Sequence, residues 1–150
     1  MMEVEAKTVV FGGQEYPVRC DMNVLEKLQD VFGTLNNWEN GILGIKGFRD
    51  SEEIDEETEK PKRVAVMGEI SIRAVRVAFV LMVNEAIEIE NEDKGTKREK
   101  ITTAEFLRCC RDGNGYVKLA SDLHDEFLNC FVSKNAEAPQ SGEEKTKKKK

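Results

Sequence analysis

Four cysteines and one histidine are the side chains with the most chemical reach in this 150-residue sequence. Cys20, Cys109, Cys110 and Cys130 form no CxxC pair, and His124 is the sole histidine. A tetrahedral zinc site needs four converging nitrogen or sulfur ligands, usually in close pairs. The vicinal Cys109 and Cys110 point to different sides of a helix, so the expectation is four core thiols and no metal. His124 is flanked by Asp122, Asp125 and Glu126. Six positions before Cys130 on one helix, it does not face that thiol well enough for a nucleophile–base pair, and it reads as a surface residue. Asp112-x-Asn114 opens like a calcium loop, but Val117 stands at its sixth position and Leu123 at its twelfth, where Gly and Glu are needed. Gly12-Gly13 is followed by neither GK[ST] nor GxGxxG, so it is not a phosphate loop. With no nucleophile elbow, HExxH or HRD-like run, the chain reads as a non-enzyme without catalytic, metal or cofactor-binding residues.

Charge narrows the function classes further. Charged residues make up 35% of the chain, apolar residues 39%, and the net charge is −6. A net anion argues against nucleic-acid binding, which needs a basic surface to neutralise phosphates. The longest apolar run, Val77 to Val83, is far short of the roughly 20 residues that span a bilayer. The opening MMEVEAKTVV carries Glu3 and Glu5 and no apolar h-region, so a cytosolic chain with reduced thiols is expected.

The elements that hold these residues read as mainly α: a small helical domain over residues 1–132 with an N-terminal β-hairpin (8–19) and a disordered Lys-rich C-terminal tail (133–150). The hairpin rests on β-branched and aromatic residues flanking Gly12-Gly13, which supply the positive φ of a tight turn. Asp21 or Asn23 caps a helix carrying Val24, Leu25, Leu28, Val31 and Phe32, which stops at Gly33. Trp38, Ile42, Leu43, Ile45 and Phe48 suggest a short helix or a packed loop. Residues 49–60 (RDSEEIDEETEK) hold seven acids and two bases and read as a solvated, mobile acidic loop closed by Pro61. Val64 to Ile89 is apolar over most of its helical circumference, with a polar stripe at Glu69, Arg73, Arg76, Asn84 and Glu88. It reads as a central helix buried on more than one side. A charged turn over Glu90–Lys100 follows. Thr102 and Glu105 form a capping box, stapled by Ile101 and Phe106, and that helix runs to about Arg111. After Asp112-Gly113-Asn114-Gly115, a last helix from Tyr116 to Val132 aligns Val117, Ala120, Leu123, Phe127 and Phe131. The tail holds six Lys and three Glu, leaving 1–132 at a net −9.

The stretch from Gly13 to Gly33 (GQEYPVRCDMNVLEKLQDVFG) resembles the opening of tail assembly chaperones from long-tailed, siphovirus-like phages and prophages of Gram-positive bacteria. That family begins with a GxxYPxR hairpin running into a helix that ends FG. Phe79 to Ala86 (FVLMVNEA) is similar to its central helix with an N-E pair. The likeness covers residues 8–33 and 70–132; the acidic stretch at 49–60 and the terminal Lys run depart from the pattern. It implies a chaperone in the bacterial host cytoplasm that binds and solubilises the long, helical tape measure protein while tail tube protein polymerises around it.

Client binding by helix-in-groove packing has candidate anchors in Leu35, Trp38, Ile42, Leu43 and Phe48, which sit in an irregular region. The basic residues Lys145, Lys147, Lys148, Lys149 and Lys150 are candidate tail contacts. The resemblance also implies a longer product made by programmed ribosomal frameshifting. Lys147 to Lys150 require a message run of mostly A, on which both tRNAs can re-pair after a one-nucleotide slip; a Lys-rich solubilising end is the alternative. Two other functions stay open: a tail completion or connector protein retained in the virion, and a prophage-encoded regulator using the basic tail on RNA.

Overall fold

The structure, a computed structural model, describes residues 7–109, 111 and 113–132. The 133–150 segment expected to be disordered lies outside them, as do Cys110 and Asp112. Element order is β1 (Lys7–Phe11), β2 (Gln14–Val18), α1 (Met22–Phe32), α2 (Leu35–Leu43), β3 (Ile45–Ile54), β4 (Pro61–Met67), α3 (Ile72–Lys94), α4 (Thr103–Cys109) and α5 (Gly113–Asn129). Among the described residues, two separate two-stranded antiparallel sheets, β1–β2 and β3–β4, accompany five helices. The fold is therefore mixed α/β, where the sequence suggested mainly α with one hairpin.

The first hairpin forms as its residues require. Gly12 and Gly13 take φ of 61° and 79°, and Val9 pairs with Tyr16, Phe11 with Gln14. The inward residues Val9, Phe11, Tyr16 and Val18 are buried. Phe11 packs 5.4 Å from Phe79 on α3 and 4.9 Å from Phe106 on α4, with Tyr16 edge-on to Phe79 at 5.1 Å. Offset and edge-on aromatic contacts of this kind add to simple area burial.

Caps set most helix ends. Asp21 accepts from the Val24 N–H and Thr34 from the Asn37 N–H. Thr102 and Glu105 make the reciprocal bonds of the capping box, at 3.1 and 2.8 Å.

The central helix is shifted from its sequence reading. Val64, Ala65, Val66 and Met67 lie in β4, and α3 begins only at Ile72, where Ser71 accepts from the Ala74 N–H at 3.1 Å. β-Branched Val64 and Val66 suit a strand, and a capped start outcompetes continuation from it. At its far end α3 runs through Lys94 and stops at Gly95, so residues 90–94 are helix where a turn was expected. Its buried side includes Ala74, Val75, Ala78, Phe79, Met82, Val83 and Ile87.

α5 starts before Tyr116 and ends at Asn129. Its core face is Leu119, Ala120, Leu123 and Phe127; Val117 and Phe131, expected on that face, are exposed.

Asn84 and Asn91, a heptad apart on α3, clamp the returning chain. Asn84 accepts from the Ile101 N–H at 2.8 Å and donates to the Ile101 carbonyl at 3.0 Å. Asn91 does the same for Arg98, each bond at 3.0 Å. Asn84, read as part of a polar stripe, thus holds the segment that leads into α4.

Candidate binding surface

Residues 49–60 are not a loop alone. β3 and β4 form a hairpin arm with Phe48 opposite Ala65, Arg49 opposite Val64, and Asp50 opposite Arg63. Net-acidic β3 faces basic β4. Lys62 Nζ lies 3.5 Å from Glu53 Oε1, and the Arg63 guanidinium sits 5.7 Å from the Phe48 ring centroid. Opposite charges across a ladder favour pairing, which is why so acidic a stretch is ordered. The turn closes through Asp55: its N–H donates to the Lys60 carbonyl at 2.8 Å, and its side chain accepts from the Glu57 N–H at 2.8 Å.

The arm emerges from the core at two glycines. The Gly68 N–H donates to the Gly44 carbonyl at 2.6 Å. Gly44 has φ 77°, and a Cβ there would meet the Gly68 carbonyl at 3.0 Å, so this crossing excludes a side chain. Beyond it, no residue of β3 or β4 is buried.

The five apolar candidates divide at this crossing. Trp38 is 0% and Ile42 2% exposed, a correction to their reading as surface anchors. Trp38 donates through Nε1 to the Ala74 carbonyl at 3.0 Å and packs 4.7 Å from Phe127; α2 is amphipathic and turns both residues inward. Leu35 is half-buried against the core. Leu43, 37% exposed, and Phe48, 49% exposed, remain available. The sequence reading omitted Ile54 and Met67, the latter 62% exposed and opposite Ile45 in the ladder. The alternation of Val64 and Val66 next to Pro61 was the signal that could have exposed the second strand. The candidate lysines Lys145 and Lys147–Lys150 lie outside the described residues.

Groups with shifted titration lie elsewhere and serve packing. Burial, with a contact to Cys109, pushes the Tyr16 hydroxyl up to about 12; that hydroxyl donates to Gln14 Oε1 at 2.8 Å. The Glu85 carboxylate accepts from Asn23 Nδ2 at 3.1 Å, and Asp21 accepts from Arg19 Nε and the Val24 N–H. The neighbouring Asp21 carboxyl and partial burial raise Glu85. Burial alone would raise Asp21, but the neighbouring Glu85 carboxyl and the hydrogen bonds from Arg19 and the Val24 N–H outweigh it and hold Asp21 below its ordinary range. The adjoining groove, about 150 Å³ and lined by residues including Lys27, Glu85, Glu88 and Lys100, is small and crossed by a Lys100–Glu88 ion pair at 2.9 Å. Asp21 is already spent as a helix cap, and the Asn23–Glu85 hydrogen bond ties α1 to α3.

His124 is not a free surface residue. Its Nε2 lies 2.7 Å from Glu39 Oε2 and its ring stacks on Phe127, joining α5 to α2. Among the described residues, no three metal-ligating side chains gather, and no helix is long and apolar enough to cross a membrane.

Set against known protein families, curated proteins and solved structures, the chain matches none of them.

Proposed function

We propose that this chain is a phage tail assembly chaperone, and that its β3–β4 arm takes hold of the tape measure protein while tail tube protein polymerises. The family likeness rests on residues that build one unit. Gly13 to Gly33 covers β2 and α1 through its terminating glycine, and Phe79 to Ala86 lies in the middle of α3.

The observation that carries the reading is the arm itself: two strands with no buried residue, exposing Phe48, Ile54 and Met67. A lone two-stranded hairpin is marginal in water, and exposed strand edges with apolar side chains are usually covered or blunted. The arm's charges keep it soluble while its apolar residues remain free to engage a client. A long amphipathic helix fits this surface, laying apolar anchors over Phe48 and Met67 and basic residues toward the acidic turn.

Co-expression tests the reading. The cognate tape measure protein moves to the soluble fraction with this chain, without added nucleotide or metal. A tape measure protein equally insoluble with and without the chain refutes it.

A further inference from the structure

The β3–β4 arm has two outer edges of opposite charge. β3 and β4 pair only with each other, so neither outer edge has a ladder partner among the described residues. In an antiparallel pair, alternate N–H and C=O groups of each strand point away from its neighbour, and an edge strand offers that row to a further strand. Over the distal half of the arm, β3 carries Asp50, Glu52 and Glu53, and β4 carries Lys62 and Arg63. The side chains of Glu53 and Lys62 are 77% and 53% exposed. Local bonds occupy part of the β3 edge. Ser51 Oγ accepts from the Glu53 N–H at 3.2 Å and donates to the Glu53 carbonyl at 3.3 Å, and Arg49 Nη1 donates to the Asp50 carbonyl at 3.4 Å. The open length of β3 is therefore Ile45 to Arg49, with its acids just beyond. No side chain bonds the backbone of β4 among the described residues.

We propose that the arm is a self-assembly element: the β4 edge of one copy of this chain receives the β3 edge of a second copy, extending the sheet head to tail. Charge selects this pairing. Two β4 edges would set Lys62 and Arg63 against themselves, and two β3 edges would do the same with the acids. Like charges placed opposite one another across a ladder are destabilising. Charge along an edge ordinarily blocks strand addition; opposite signs on the two edges block only like with like. In the register of the intramolecular ladder, Asp50 of the second copy comes beside Arg63, repeating on the outer side the Asp50–Arg63 pairing within one arm.

Addition also supplies what the arm lacks. A two-stranded hairpin is marginal in water, and three or more strands or a packed helix are needed to steady it. In the extended sheet each inner strand has two neighbours. A contact between unlike edges does not satisfy itself in a pair. It continues to a closed ring or an open filament, so assemblies larger than a dimer follow. The faces of the arm, with Phe48 and Met67, stay open, and the inference does not depend on the chaperone reading.

The test uses the full chain alone in analytical ultracentrifugation, together with a charge-swapped chain, D50R/E53K/K62E/R63D. The swap keeps opposite charges within each arm and reverses the sign of both edges. The unaltered chain forms species above the mass of a dimer that grow with concentration, and a chain with residues 45–67 replaced by a Gly-Ser link stays monomeric. The swapped chain assembles with itself as the unaltered chain does. Tagged unaltered chain captures at least about tenfold less of the swapped chain than of untagged unaltered chain, because each mixed contact opposes like charges. A monomer at every concentration, assembly that stops at a dimer, association that survives loss of the arm, or a swapped chain that no longer assembles overturns the proposal. Equal capture of the two chains overturns it as well, and preferential capture of the swapped chain would show that like edges pair.

Discussion

β1–β2 and β3–β4 are both antiparallel hairpins. In the first, Val9, Phe11, Tyr16 and Val18 bury one face in the core, Pro17 is buried on the other, and Phe11 and Tyr16 close around Phe79. In the second, longer strands bury nothing. The first hairpin gains its stability from tertiary packing. The second depends on its own ladder, on cross-strand charges and on the glycine crossing at Gly44 and Gly68. A chain that keeps so long an exposed ladder while its core is complete without it has separated folding from contact. The β1–β2 side specifies the domain, and the arm is free to meet a partner.

The largest expected effect lies on the packed side. Phe79→Ala empties a site shared by Phe11, Tyr16 and Phe106 and should cost about 3–5 kcal/mol in denaturant unfolding. A loss under about 1 kcal/mol would remove the distinction between the hairpins. Trp38→Phe comes next, at about 1–3 kcal/mol, because it leaves the Ala74 carbonyl without its indole donor and opens a small void. That cost would place the core boundary after Ile42, just before the arm begins.

Much of the packed side was legible in the sequence because its signals are local. Gly12-Gly13, Asp21, Gly33 and the Thr102/Glu105 box each act within a few residues of themselves. The arm was hidden because its seven acids dominate composition, while the basic residues that balance them, Lys62 and Arg63, lie across a turn. Trp38 and Ile42 looked available for a similar reason. The partners that bury them, Ala74 and Phe127, come from α3 and α5, and nothing near Trp38 announces them. Asn84 is the same case in reverse: it reads as one member of a polar stripe until Ile101 returns to it.

A smaller effect comes from pH at the β2–α1 junction. Glu85 titrates above its ordinary value of 4.5 and Asp21 below 3.8. The raised Glu85 binds its proton more tightly in the folded chain, so its contribution to stability grows as pH falls toward 4.5. The lowered Asp21 contributes stability above 3.8 that is lost as pH falls further. Stability therefore peaks in mild acid with respect to this pair. Glu85→Gln keeps a hydrogen-bonding group there and should flatten the limb above pH 4.5 in pH-dependent melting, by less than about 1 kcal/mol because both groups are only partly buried and solvent screens them. An unchanged limb would mean the two carboxyls are not coupled.

The smallest effect is on the arm: Phe48→Ala should change unfolding stability by no more than about 0.5 kcal/mol while weakening retention of the tape measure protein in pull-down.

The most direct measurement removes the arm. Gly44 and Gly68 are already hydrogen-bonded, so a short Gly-Ser link can replace residues 45–67 without separating the ends. The excised chain should unfold cooperatively within about 1 kcal/mol of the full chain, since altering a surface connection costs little loop entropy, yet leave a co-expressed tape measure protein insoluble. An excised chain that folds and still solubilises the tape measure protein as well as the intact one would contradict the assignment of the arm.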